Sequence, residues 1–189
     1  MPDNPLSERG RSLEDEYFRK QDQELIEKMR RTAAADANRR ELAASAGVQD
    51  PELIAEIEAL GFSADTISLL PLLPLLEVAW AEGGVSGEER ALLIQLARSR
   101  GISEGSVADR QLAGWLESPP SRDMFARATR LVRAMLTAAG SERTTMTADD
   151  LVKYSEDIAA ASGGIFGMKK ISAEERSLIE RIAAELKRQ

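Results

Sequence analysis

Protein chemistry is carried mostly by histidine, cysteine, carboxylates, lysine and hydroxyls, and this chain of 189 residues has no histidine and no cysteine. That removes disulfides, thiolate nucleophiles, histidine-ligated haem, Cys/His zinc sites and every Ser-His-Asp triad. Carboxylates, lysines and hydroxyls remain. They form no Ser-x-x-Lys pattern and no paired-acid constellation, and acid-rich helix surfaces bring such groups together by chance. The nearest approach to a phosphate cradle is Gly163-Gly164-Ile165-Phe166-Gly167-Met168-Lys169-Lys170. It lacks both a preceding strand and the GxxxxGK[S/T] spacing, so it is not a P-loop. The chain is expected not to be an enzyme.

The elements that position these side chains read as helices throughout, and the fold class is all-α. Gly47-Val48, Gly61-Phe62 and Gly101-Ile102 each look like a left-handed residue plus an apolar contact closing a helix. Starts are marked by Asp50-Pro51 and by two capping boxes, Ser86-Gly87-Glu88-Glu89 and Ser172-Ala173-Glu174-Glu175. Ser12 to Asp15 and Ser106 to Asp109 are weaker versions. These marks predict helices over 12–46, 51–60, 64–82 with a break near Pro71, 87–100, 107–117, 121–139, 148–161 and 173–187. Three glycines in 163–167 predict a loop there. Trp80, Phe125, Leu131 and Met135 are expected in the core.

Hydrophobic residues make up 43 % of the chain and aromatics 4 %, so the core must be built from Leu, Ala and Ile. The net charge is −7, which excludes a broadly basic nucleic-acid binder. The first residues have no apolar stretch behind a basic start, and Leu69 to Leu76 is interrupted by Pro71 and Pro74 and ended by Glu77. Neither a secretory signal nor a membrane-spanning helix is expected, and a cytoplasmic location follows.

The first helix differs from the others. Between Glu8 and Arg31 lie seven acidic and seven basic residues, too many charges for a buried helix. Asp15 with Arg19, Glu16 with Lys20, Glu24 with Lys28 and Glu27 with Arg31 are acid-before-base pairs at i,i+4. Phe18, Leu25 and Met29 fall within about 40° of one another on a helical wheel, flanked by Ile26. So narrow a stripe needs a partner: the protein's own bundle, a second copy in a coiled coil, or another protein. Glu14-Asp15-Glu16-Tyr17-Phe18-Arg19, then Glu24, Ile26 and Met29 followed by Arg30-Arg31, resembles the inhibitory helix of F-type ATP synthase inhibitor proteins. The resemblance covers about twenty residues. It implies that Glu14, Tyr17, Phe18, Glu24, Ile26 and Met29 engage an interface of the catalytic subunits. The histidine-rich, pH-sensing continuation found in many such inhibitors is missing here.

An internal repeat lies at an offset of 86, where Val85 to Ile94 and Ile171 to Glu180 share five of ten positions. Arg90/Arg176 and Leu92/Leu178 exceed the capping-box grammar and suggest two related helical units. Leu76-Glu77-Val78-Ala79-Trp80-Ala81-Glu82-Gly83-Gly84-Val85-Ser86-Gly87-Glu88-Glu89-Arg90, with Lys170 to Leu178, resembles the TerB-like, tellurite-resistance-associated helical family over residues 72–186. The resemblance implies a non-catalytic helical bundle associated with stress responses or partner proteins. It also implies acidic ligands for a divalent cation, Ca²⁺ or Mg²⁺, at Glu82 and Glu89 with Glu88 adjacent, a chemistry suited to hard cations. First-turn carboxylates equally serve the helix dipole and the capping box. The position matching Glu82 in the second unit is Met168, so no second cation site is expected.

Together these readings give a charged helical arm over 1–46 and a TerB-like bundle over 47–189. The expected role is regulatory: a protein partner bound through Glu14, Tyr17, Phe18, Glu24, Leu25, Ile26 and Met29. Inhibition of an F-type ATPase and divalent-cation sensing are the alternatives, and self-association through the same stripe is open.

Overall fold

A computed structural model describes residues 5–139, 147–161 and 171–188, and for 5–15 and 139 the backbone alone. The described residues are helical and contain no strand. The helices are α1 (Pro5–Ala46), α2 (Pro51–Ala59), a 3-10 turn (Ile67–Leu72), α3 (Leu73–Ala79), α4 (Gly87–Ser99), α5 (Val107–Glu117), α6 (Arg122–Ala139), α7 (Ala148–Ala161) and α8 (Ala173–Leu186). None is long and apolar enough to cross a membrane among the described residues. The loop expected at 163–167, with Phe166, Met168, Lys169 and Lys170, lies outside them.

The stops form as their glycines require. Gly61 and Gly101 have φ of 91° and 81°, backbone that L side chains rarely adopt, and Gly47 closes α1 in the same way. Behind them the amides of Phe62 and Ile102 donate to the carbonyls of Ile57 and Ala97, the long-range bond of a Schellman ending. Both side chains are buried, which fixes the exit of the chain as well as its hydrogen bonds. At the starts, Asp50 accepts from the Glu52 amide at 2.9 Å, and both capping boxes are complete.

Two boundaries move. The first helix begins at Pro5 rather than residue 12, since proline is preorganised for a first helical position. The helix expected over 64–82 is a 3-10 turn and a short α3, because Pro71 and Pro74 remove two amide donors. Upstream, the Ser63 amide donates to the Thr66 hydroxyl, a local bond that competes with helix formation.

The chain divides into two compact units between Arg40 and Glu41, ahead of the expected boundary at residue 46. Leu42 is buried and Ala43 and Ala46 pack on the core, so the last turn of α1 belongs to the second unit. That unit is built around Leu69, Leu70, Leu72, Leu73, Leu75, Leu76 and Val78, all at most 1 % exposed. Through them α3 packs against α6, α7 and α8. Phe125 and Leu131 are buried, and Trp80 and Met135 pack on the core at its margin, as expected of helical-stripe residues. Trp80 Nε1 donates to the Trp115 carbonyl at 2.9 Å, tying α3 to α5.

Candidate functional site

The first candidate is the apolar stripe of α1. Among the described residues, and apart from Val107, the large hydrophobic side chains that stay exposed are Tyr17, Phe18, Leu25, Ile26 and Met29, each between 48 and 63 % accessible. The helix places them by its period: Phe18, Leu25 and Met29 form a line about 16 Å long at 1.5 Å per residue. Tyr17 and Ile26 flank that line on opposite sides, and the Tyr17 and Phe18 rings meet edge to face at 5.9 Å. Glu24 is exposed beside Leu25. Glu14 lies on the backbone course of α1, and its side chain is outside the described residues.

The same helix carries the charges expected of it. Glu27 and Arg31 form an ion pair, whereas Glu16 with Lys20 and Glu24 with Lys28 do not close. Exposed pairs gain little in water over the cost of ordering two long side chains, so an open pair is no structural loss. The result is a narrow face of aromatics and aliphatics set among exposed charges.

The second candidate is the turn between α3 and α4. Here Glu82 and Glu88 are exposed while Glu89 is only 2 % exposed. No group of three or more acidic side chains is arranged to hold a metal ion among the described residues. The expected ligand set of Glu82, Glu88 and Glu89 is therefore not brought together. The reason is local: Glu89 turns back to accept the Ser86 amide at 2.7 Å while the Ser86 hydroxyl accepts the Glu89 amide at 3.2 Å. Burial raises the Glu89 carboxyl above its ordinary pKa against these Ser86 hydrogen bonds, and the Glu175 and Glu82 charges push the same way.

Glu175 is the residue that the sequence reading did not join to this site. It is 1 % exposed, accepts the Ser172 amide at 2.7 Å, and keeps its Oε1 buried without a hydrogen-bond partner. The signal was present: Glu175 is Glu89 displaced by the repeat offset of 86. The repeat is imperfect elsewhere too. Arg90 donates to the Leu116 carbonyl at 2.8 Å and anchors α4 on α5, while Arg176 is exposed.

No protein-family model, no curated protein and no solved structure matches the chain.

Proposed function

We propose that this chain is a non-catalytic interaction protein of the cytoplasm, with a TerB-like bundle over residues 72–186 and a protein partner bound along α1. The observation that carries the reading is the exposed line of Phe18, Leu25 and Met29 with Tyr17 and Ile26 beside it. Water-exposed apolar groups at this density usually mark a surface that another molecule covers. Exposed Glu24 adds charge beside it and would set orientation more than affinity; Glu14 belongs to the proposed contact set through the resemblance alone. An F-type ATPase is one partner of suitable chemistry, because the same residues carry the resemblance to its inhibitor helix.

The test is capture from host lysate by the full chain and by the variant Phe18→Asp, Leu25→Asp, Met29→Asp. The reading expects a partner held by the first and released by the second, with both proteins equally helical. ATP hydrolysis by the host F-type enzyme separates the narrower alternative: inhibition by the full chain, relieved by Tyr17→Ala plus Phe18→Ala, would establish it. A cation-sensing role finds less support, since among the described residues no group of three or more acidic side chains is arranged to hold a metal ion.

A further inference from the structure

Helices α6 and α8 pack together, and between them lies a cavity of about 690 Å³ that is open to solvent as a groove. The helical period explains its lining. Ala126, Thr129, Arg130 and Arg133 recur at i, i+3, i+4 and i+7 on α6, and Arg181, Ala184, Glu185 and Arg188 do the same along α8 and its exit. Small Ala126 and Ala184 leave the room, and four arginines surround it. In a chain with a net charge of −7 this is a local reversal of sign.

The arginines are unequally satisfied. Arg133 meets Glu185 at 2.7 Å and Arg188 meets the same carboxylate at 3.8 Å, so one acid serves two guanidinium groups. Arg181 pairs with Glu77 at 2.6 Å. Arg130 has no ion pair among the described residues although it lines the cavity. Counting Glu185 and Glu77 against the four arginines leaves two positive charges uncompensated.

The geometry points to a binding site for a small, soluble phosphate monoester. Such a group carries about −1.5 to −2 charges at neutral pH, matching the surplus, and its oxygens take the paired N–H groups of a guanidinium. The cavity volume lies in the range of small-molecule sites, about 300–1,000 Å³. Arg130 makes the first contact because it gives up no existing partner, and Arg188 follows because its hold on Glu185 is the longer one. This inference does not rest on the role proposed for the α1 stripe.

Calorimetric titration of the full chain with phenyl phosphate tests the assignment. Saturable one-to-one binding is expected, about tenfold weaker in Arg130→Ala. Phenyl sulfate, of the same shape with one charge fewer, should also bind about tenfold more weakly. Glu185→Gln should bind more tightly, since it releases two guanidinium groups; if that variant melts early, Arg130→Ala decides alone. Absence of saturable binding, or equal affinity in Arg130→Ala, overturns the proposal. So does binding to phosphatidic-acid vesicles without binding of phenyl phosphate, which would make the groove a membrane contact.

Discussion

Glu89 and Glu175 stand 86 positions apart and hold the same place in two capping boxes, one opening α4 and the other α8. Both carboxylates are inside the bundle, and the charge on Glu175 reaches Glu89. Each acid satisfies a backbone amide that its helix start would otherwise leave without a partner. The repeated motif thus builds two helix starts whose buried ends share one electrostatic environment.

The shared environment has a pH signature. With its carboxyl raised by burial, Glu89 holds more protons in the folded than in the unfolded chain between its ordinary and its raised pKa. Stability must therefore fall as pH rises through that window. Glu89→Gln should flatten this limb in urea melts collected across pH. Asp109 works in the opposite sense: the Gly105 amide and then Arg98 lower its pKa, so its contribution is present above the ordinary aspartate value and is lost as pH falls through the lowered one. Asp109→Asn should remove that acid-side loss.

Removing a cap tests the boxes themselves. Ser86→Ala and Ser172→Ala should each cost about 1 kcal/mol, measured by chemical denaturation. The two losses should depart from additivity, because the carboxylates behind them interact.

Trp80 supplies a separate check on how α3 is held to α5. Trp80→Phe keeps most of the ring but loses the hydrogen bond to the Trp115 carbonyl. A loss of about 0.5–1.5 kcal/mol is expected, since the carbonyl left behind is partly buried. Leu76→Ala, at a side chain with no exposed surface, should cost more, about 2–5 kcal/mol, through the cavity it opens.

The stripe should behave differently from the core. Tyr17→Ala, Phe18→Ala and Leu25→Ala remove exposed side chains, so the melting of the free chain should change by no more than about 0.5 kcal/mol each. A partner's affinity should fall sharply with the same substitutions. Stability and binding would then separate cleanly along the chain.

How much of this was legible in the sequence depended on whether a residue acts locally. Gly61, Gly101, Ser86 and Ser172 fix helix ends through bonds to residues within five positions, and they could be read directly. The line of Phe18, Leu25 and Met29 was equally readable, being a matter of helical period. Pro5 and the Ser63–Thr66 bond shifted boundaries because several local signals competed there. The burial of Glu89 and Glu175, the link from Trp80 to Trp115 and the arginines between α6 and α8 arise from packing of distant segments. Periodicity places such residues on a face but does not say which face meets it.

Photo-crosslinking asks whether the α1 stripe is a surface for another protein. A photoreactive residue would be placed at position 25, on the stripe, and in a second protein at position 27, about 160° away on the opposite face. Position 25 should capture a protein other than this chain in host cells, and position 27 should capture none. Identical products from both positions, or capture at position 25 of this chain alone, would contradict it.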